Sequence, residues 1–274
     1  MTAAAAVRTA GETVREGVAR LRAAGCDTPR LDAELLVADA VGLERGALLA
    51  HPERAVQAGE AEAIEARLAR RARREPVAYV LGRRAFFGIV LEVDRRVLIP
   101  RPESEHLVEA ALELPRGAWV HDVGTGSGAV ALAIAHARPD LTVSASDLDP
   151  DAVALARANA ARLGLDVEVE LASGLTEAAG GADLVVANLP YVAEGEWDAL
   201  APEIRSWEPR GAVVAGADGL DAIRALVAGA PAGTRVALEH GEAQGPGVRA
   251  LLRDSETWRD LAGRERVTLG WTPS

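Results

Sequence analysis

The sequence predicts an α/β protein in which a doubly wound, mostly parallel sheet follows a small helical domain. Three observations support this expectation. Residues 9–81 show helix start and stop signals and no strand pattern. After Pro100 and Pro102, short apolar strands alternate with helical stretches, and strands connected in this way pair in parallel through right-handed crossovers. A glycine-rich turn lies between the first of these strands and the helix after it.

The first part of the chain is divided by helix-terminus signals. Thr9 and Glu12 form a capping-box pattern at the start of one helix. Thr28 followed by Pro29 is typical of the start of a second helix. A charged stretch over 60–74 predicts a further helix. The sequence therefore predicts a helical domain with its linker over 1–84 and a second domain over 85–274.

The second domain begins with a predicted hairpin around Gly88. Strands are then predicted over 118–123, 141–146, 167–171, 183–187, 234–239 and 266–271. Helices are predicted between them over 128–137, 150–163, 219–228 and 244–253.

Charge is spread unevenly along the chain, and all 30 basic residues are arginine in a net charge of −11. Residues 1–84 hold 14 arginines against 12 acids, while 85–274 hold 16 against 29. So acidic a second domain disfavours nucleic acid as a partner, because binding a phosphate backbone needs cations that displace counterions. The arginines within 67–74 indicate a solvated helix face or, as the alternative, a docking patch for an acidic or RNA-containing partner.

No feature of the sequence predicts a membrane or secreted protein. No apolar run approaches the roughly 20 residues that span a bilayer, and the Ala-rich start, Met1 to Val7, is too short for a signal peptide. The single cysteine, Cys26, cannot form an internal disulfide, which fits a reducing cytoplasm. No His, Cys and acid cluster has metal-ligand spacing. We expect a soluble cytoplasmic monomer without a metal ion.

The glycine-rich turn runs from Gly124 to Gly128 and indicates a ligand site, since glycines allow a ligand to approach the backbone. Its Gly-x-Gly-x-Gly spacing differs from the Gly-x-Gly-x-x-Gly of pyrophosphate-binding turns and favours a cofactor without a pyrophosphate. Asp147 ends the next strand, where an acid can accept from ribose hydroxyls. Asp149 directly precedes Pro150 and is better suited to cap the following helix.

A second motif, Asn188-Leu189-Pro190-Tyr191, follows the strand 183–187 and so lies at the sheet edge where such folds bind ligands. It is similar to the Asn-Pro-Pro-Tyr motif of methyltransferases that act on nitrogens conjugated to a planar system, such as the adenine amino group or the glutamine amide. Leu189 departs from that motif, but Pro190 restricts it towards extended geometry and its carbonyl remains available.

Further segments resemble the protein glutamine-N5 methyltransferase family that modifies peptide chain release factors. These segments are Arg74–Gly82, Phe86–Gly88, Leu98–Glu103, Glu239–Gly241 and Arg266–Gly270. They occur in the family's order and extend from the helical domain to the C-terminus. The resemblance implies a class I seven-stranded, S-adenosylmethionine-dependent methyltransferase fold behind a helical substrate-docking domain. Ser173 departs from the family pattern, which usually has an aspartate near the adenine.

The resemblance also implies a substrate, the glutamine of the Gly-Gly-Gln loop of release factors, and site residues. Asn188, Pro190 and Tyr191 are the implied catalytic residues, and with Leu189 they bind the substrate. The Asn188 side-chain oxygen and the Leu189 carbonyl would accept from the amide hydrogens, and Tyr191 would pack against the amide plane. The implied cofactor-binding residues are Gly124, Thr125, Gly126, Ser127, Gly128, Asp147, Gly174 and Asn188.

Two alternatives remain open at this point. The tetrapeptide also resembles that of ribosomal RNA dimethylases, so an adenine-N6 methyltransferase acting on ribosomal RNA or DNA is the first. A non-catalytic scaffold that binds S-adenosylmethionine is the second. The acidic second domain and the further family segments count against the first, and intact Asn188, Pro190 and Tyr191 count against the second. A catalytic base is not expected, since the proton can leave after methyl transfer; we therefore expect His240 to be structural.

Overall fold

The computed structural model describes residues 8–176 and 178–274, so the Ala-rich start, Met1 to Val7, lies outside the described residues. The chain divides into two compact units, one that ends at Gly82 and one that spans Arg83–Ser274. The sequence predicts this division after residue 84. In the structure the boundary lies after residue 82, two residues earlier, because Arg83 is already the first residue of a strand.

The described residues of the first unit, 8–82, form five α-helices. They are α1 (Ala10–Ala23), α2 (Pro29–Ala40), α3 (Arg45–Ala50), α4 (Ala58–Ala72) and α5 (Val77–Leu81). The predicted capping box is confirmed, since Thr9 Oγ1 accepts from the Glu12 N–H at 3.2 Å and the Thr9 N–H donates to Glu12 at 2.9 Å. Helix α2 begins at Pro29 as predicted, although the Thr28 hydroxyl donates to Asp32 and accepts no hydrogen bond from the N–H groups of the first turn.

The arginines of α4 form ion pairs inside the first unit. Arg71 is buried and contacts Asp32 at 2.7 Å. Its neighbours Arg67 and Arg70 pair with Asp39 and Glu75, both at 2.6 Å. The expectation of a solvated helix face is wrong for Arg71, because the helix turns this side chain into the interior of the unit, where Asp32 compensates its charge.

The second unit contains six helices and nine strands within its described residues. The helices are α6 (Glu105–Leu112), α7 (Ala129–Ala137), α8 (Pro150–Leu163), α9 (Pro202–Trp207), α10 (Asp221–Gly229) and α11 (Gly245–Arg249). The strands are β1 (Arg83–Phe86), β2 (Ile89–Glu92), β3 (Trp119–Val123), β4 (Thr142–Asp147), β5 (Glu168–Leu171), β6 (Leu184–Ala187), β7 (Arg235–Glu239), β8 (Arg253–Arg259) and β9 (Glu265–Trp271).

Strands β1 and β2 form the predicted hairpin, and the other seven strands form one sheet in the order β5-β4-β3-β6-β7-β9-β8. The first five of these strands are parallel, whereas β9 runs antiparallel to both of its neighbours. The predicted doubly wound sheet is therefore confirmed. Within the described residues, no helix has the length and apolar character to cross a membrane.

One predicted helix, 244–253, is wrong in its second half. Helix α11 ends at Arg249, and the edge strand β8 begins at Arg253. The sequence Arg-Asp-Ser-Glu-Thr-Trp-Arg shows no apolar alternation because β8 pairs only with β9 and leaves most of its side chains in solvent. Charged, irregular edge strands of this kind block unwanted pairing with other chains.

The order of the sheet determines where a ligand can bind. The chain passes from β3 to β4 on one side and later returns through β6 on the other side. This reversal opens a crevice beyond the carboxyl ends of β3, β4 and β6. The glycine-rich turn, Asp147 and Asn188 follow or end these three strands, so the fold brings both sequence motifs to one place.

Candidate active site

A cavity of about 280 Å³ lies at this edge of the sheet, just below the range of about 300–1,000 Å³ that is typical of ligand sites. One wall is the glycine-rich turn with Asp147, and a second is Asn188, Leu189 and Pro190. Segments 96–104 and 209–212 contribute further lining residues. Seven of the predicted site residues besides Asp147 line it: Gly124, Thr125, Gly126, Ser127, Asn188, Leu189 and Pro190.

The glycine-rich turn has the backbone that its composition predicts. Gly124 has φ +74°, and a Cβ atom there would lie 2.8 Å from the Leu189 side chain. Gly126 has φ +57°, but a Cβ atom there would meet no protein atom within 4 Å. The N–H groups of Gly124 and Thr125 both donate to the Ser146 carbonyl of β4, at 2.9 and 3.0 Å. The turn is thus anchored on the sheet and leaves open space at Gly126.

Two predicted cofactor ligands lie outside the cavity wall. Gly128 has φ +84° at the start of α7, and a Cβ atom there would lie 2.9 Å from Leu132. Gly174 has φ +77°, and its carbonyl accepts from the Ser146 hydroxyl at 3.5 Å. Both glycines are accounted for by packing and backbone geometry, and their contact with a ligand stays a prediction.

The two aspartates after β4 have different environments. Asp147 accepts from the Gly126 N–H at 2.8 Å and from the Asp149 N–H at 3.0 Å, one bond to each oxygen. Each oxygen retains a further lone pair, so the carboxylate is held in place and can still accept from a ligand. Asp149 accepts from the Asp151 N–H at 2.9 Å and caps α8, which confirms the predicted cap.

Asp122, at the end of β3, is a site residue that the sequence analysis did not assign. It lines the cavity, is buried, and accepts from the Thr125 hydroxyl at 2.7 Å and from the Ala131 N–H at 3.2 Å. Burial raises the pKa of Asp122 to about 6. Its position two residues before the glycine-rich turn is a sequence signal, since an acid there can hold the turn against α7.

Asn188 is fixed by one hydrogen bond. Its side-chain nitrogen donates to the hydroxyl of Ser104 at 2.8 Å. Among the described residues, neither the Asn188 side-chain oxygen nor the Leu189 carbonyl accepts a hydrogen bond. Two acceptors on adjacent residues of the cavity wall are therefore available to a ligand that presents two hydrogens.

Tyr191 does not line the cavity. Burial raises the pKa of its hydroxyl to about 12, so the side chain is neutral. Its carbonyl accepts from the Gln244 side chain at 2.8 Å, and a Cβ atom at Gly219 would lie only 2.0 Å from the same carbonyl oxygen. Gln244 and Gly219 thus both contact the backbone of the motif at Tyr191. Packing of the Tyr191 side chain against a substrate amide stays a prediction.

His240 lies in the interior and does not line the cavity. One ring nitrogen contacts the Gly241 carbonyl at 2.9 Å and the other contacts the Thr268 hydroxyl at 2.8 Å. Burial lowers the pKa of His240, which keeps the ring neutral. These contacts support a structural role. Among residues 8–176 and 178–274, no group of three or more His, Cys, Asp or Glu could hold a metal ion.

Two buried side chains, Glu208 and Asn159, hold the loops around the cavity. The buried Glu208 accepts from the Arg101 guanidinium at 2.5 Å and from the Ile99 N–H at 3.2 Å, which ties segment 96–104 to the end of α9. The fully buried Asn159 of α8 donates to the Ser127 carbonyl at 2.9 Å. It also exchanges two hydrogen bonds with the backbone of Glu92 in the hairpin, at 2.8 and 3.0 Å.

Known proteins match both units. The PrmC N-terminal domain family matches residues 12–82, and the methyltransferase small domain family matches residues 103–204. The catalytic domain of hMettl16, solved with the MAT2A 3′UTR hairpin 6, superposes with a TM-score of 0.55 over 75% of this chain and 81% of that one. At 16% identity it shares the fold alone. The class I methyltransferase fold that the resemblance implies is confirmed.

Close sequence relatives cover nearly the whole chain. The release factor glutamine methyltransferase of Cereibacter sphaeroides is 41% identical over 276 residues, which cover 97% of this chain and 99% of that protein. That of Pseudomonas aeruginosa is 44% identical over 259 residues, 89% of this chain and 94% of that protein. Identity at this level extends over both units, and the protein belongs to the release factor glutamine methyltransferase family.

Proposed function

We propose that this protein transfers a methyl group from S-adenosylmethionine to the side-chain amide nitrogen, N5, of the glutamine in the Gly-Gly-Gln motif of release factors. The observation that supports it most is the pair of unfilled acceptors, the Asn188 side-chain oxygen and the Leu189 carbonyl. A primary amide presents two hydrogens to such a pair. Family membership favours the glutamine amide over other nitrogens that are conjugated to a planar system, such as the adenine amino group. The cytoplasm, where release factors act, is the proposed location.

The cavity fits S-adenosylmethionine in its donor set. The Asp147 carboxylate is oriented by two backbone N–H groups and retains lone pairs for ribose hydroxyls. The open space at Gly126 admits a ligand against the backbone of the turn. We therefore propose that Asp147 and the turn 124–127 hold the cofactor. When bound, S-adenosylmethionine supplies an electrophilic methyl group on a positively charged sulfur.

Asn188 and Leu189 would then activate the amide nitrogen by accepting hydrogen bonds from its two hydrogens. An amide nitrogen is a poor nucleophile because its lone pair is delocalised into the carbonyl. Acceptors aimed at both of its hydrogens draw electron density onto the nitrogen and orient the lone pair out of the amide plane. Pro190 assists by restricting Leu189 to extended geometry, which fixes the direction of its carbonyl. Catalysis of this kind depends on positioning and preorganised dipoles and needs no side chain to remove a proton first.

The first test concerns the substrate. Labelled S-adenosylmethionine should transfer its methyl group to a release factor, and replacing the glutamine of its Gly-Gly-Gln motif should abolish labelling. The label is located by mass spectrometry of the digested release factor, with ribosomal RNA and DNA incubated in parallel. Equal labelling of the replaced release factor would contradict the proposal. Preferential labelling of RNA or DNA would favour an adenine-N6 methyltransferase.

A second test concerns Asp147. Asp147→Ala should weaken S-adenosylmethionine binding by about 10- to 100-fold, because it removes charge-assisted hydrogen bonds of roughly 1.5–3 kcal/mol. Isothermal calorimetry measures this directly, after circular dichroism has shown that the variant is folded. Asp151→Ala, which removes an exposed acid four residues away, is the matched control and should bind like the wild type. Equal affinities of the Asp147 variant and the control would refute the assignment.

The helical unit is proposed to dock the substrate. The proposal rests on the cavity, all of whose lining residues lie between Arg96 and Ala212 and so in the second unit. A chain truncated to start at Arg83, the first residue of β1, should bind S-adenosylmethionine with unchanged affinity. Its KM for a release factor should rise at least about tenfold, a loss of roughly 1.4 kcal/mol of binding. Full activity of the folded truncated chain on a release factor would exclude the docking role.

A further inference from the structure

The side chain that holds Asn188 is Ser104, which is buried and itself lines the cavity, and the buried Glu239 lies near Ser104. The Asn188 side-chain nitrogen donates to the Ser104 hydroxyl at 2.8 Å, and the Ser104 hydroxyl acts to lower the pKa of the Glu239 carboxyl at the end of β7. Ser104 is 3% exposed and Glu239 is 1% exposed. Although Ser104 precedes α6, its hydroxyl makes no cap bond to that helix. Its side chain therefore serves Asn188 and Glu239.

The chemical types of these groups determine how the Asn188 amide is oriented. The Asn188 nitrogen donates to the Ser104 oxygen, so the single proton of the Ser104 hydroxyl points elsewhere, and this hydroxyl stabilises the charged form of Glu239. The serine oxygen can then only accept from its other neighbour, and the Asn188 amide must turn its nitrogen towards it. The amide oxygen is left on the opposite side, as the acceptor without a protein partner. An aspartate or a flipped amide at position 188 would not satisfy Ser104.

The buried surroundings of the Glu239 side chain disfavour its charged form. Burial raises the pKa of Glu239 to about 7, opposed by the Ser104 hydrogen bond and by the charges of Arg101 and Arg266, while Glu103 adds to the rise. Within the described part of the chain, one of its carboxylate oxygens has no hydrogen-bond partner. A buried carboxyl with an unfilled oxygen destabilises a fold, so its presence is better explained by its effect on the residues it contacts.

We propose that Ser104 and Glu239 are positioning residues that lock the Asn188 side-chain amide with its oxygen towards the substrate nitrogen. This inference rests on the proposed function, in which the Asn188 oxygen accepts from the target amide. Neither residue was assigned from the sequence, because Ser104 precedes Asn188 by 84 residues and Glu239 follows it on another strand. The lock converts a flexible amide into a preorganised acceptor, which lowers the reorganisation needed during methyl transfer.

One measurement needs no substrate. The chain has only two asparagines and two glutamines, so a ¹⁵N spectrum of the full-length protein contains few side-chain amide pairs, and Asn188→Ala identifies the pair of Asn188. In Ser104→Ala, hydrogen exchange of this pair should accelerate at least about tenfold, because its buried acceptor is lost. Ser144→Ala is the matched control: its hydroxyl contacts Trp119 and His121 away from the cavity. Exchange that is equal in wild type and Ser104→Ala would overturn the proposal.

The second measurement is a double-mutant cycle on release-factor methylation. Ser104→Ala and Glu239→Gln should each lower kcat about tenfold with little change in the KM for S-adenosylmethionine; in the Asn188→Ala background, Ser104→Ala should cost less than about twofold. Equal losses in both backgrounds would show a merely structural role and overturn the proposal. If wild-type protein labels no release factor, the proposed function fails, while the amide exchange measurement still decides whether Ser104 positions Asn188.

Discussion

Asn188→Ala should lower the turnover of release-factor methylation by about 10²–10³, roughly 2.7–4 kcal/mol, the usual cost of losing one preorganised polar contact in a catalytic site. The structure gives the physical reason. The Asn188 oxygen is an acceptor on the cavity wall that has no hydrogen-bond partner among residues 8–176 and 178–274, and the Asn188 nitrogen donates to Ser104. Alanine offers no acceptor. Steady-state kinetics with one release factor measures the effect, after unfolding and cofactor affinity have been compared with wild type.

Leu189→Pro is the matched comparison for this experiment. Leu189 contributes mainly its carbonyl, which any residue supplies, so turnover should change by less than about tenfold, or 1.4 kcal/mol. The structure adds one cost, since the Leu189 side chain packs against Gly124 and proline would lose part of this contact. A loss as large as that of Asn188→Ala would mean that the leucine shapes the pocket. An active Asn188→Ala would disprove the amide-holding mechanism.

Gly219→Ala should have the largest effect on stability. Gly219 has φ +75°, and an added Cβ atom would lie 2.0 Å from the Tyr191 carbonyl oxygen and 2.6 Å from the Gln244 side chain. Left-handed geometry costs a non-glycine residue about 1–3 kcal/mol, and forcing the backbone of Tyr191 aside costs about as much again. We expect the free energy of unfolding to fall by about 3 kcal/mol or more, measured by urea denaturation.

The control separates strain from collision. Gly164, after α8, has φ +67° but no protein atom within 4 Å of the position of a Cβ atom. Gly164→Ala should therefore cost only the backbone strain, about 1–2 kcal/mol. Gly219→Ala should also lower kcat at temperatures where it is folded, because Tyr191 directly follows Pro190 in the motif. Equal destabilisation by the two substitutions would show that the contact with Tyr191 relaxes freely.

Local signals were sufficient for most of the fold. Helix α8 has the predicted bounds, 150–163, because Asp149, Pro150 and Gly164 mark both ends of a regular apolar pattern. Strand β6 was recognisable because all four of its residues are buried and apolar. The edge strand β8 was missed because its pairing with β9 depends on tertiary contact and not on its own polar sequence. A periodic apolar pattern in a sequence reflects which side chains are buried, and most side chains of β8 are exposed.

The site was predictable where chemistry and local geometry coincide. The glycine-rich turn, Asp147 and the Asn188 motif could be assigned because each follows a recognisable strand. Ser104 and Glu239 could not be assigned in the same way, since their roles come from contacts between distant segments, whereas Asp122 contacts residues only three and nine positions away and has a local signal. A single sequence contains no record of which buried polar groups meet, so Ser104 and Glu239 appear only when the strands are assembled.

The buried amide of Asn159 has a consequence for how the second unit opens. It joins the Ser127 carbonyl of the glycine-rich turn to both backbone groups of Glu92 in the hairpin. Neither segment can fray without leaving some of these groups unpaired in the interior. Turn and hairpin thus behave as one cooperative unit of local unfolding. We therefore expect a ligand bound at the turn to slow local unfolding of the hairpin as well, through the hydrogen bonds of Asn159.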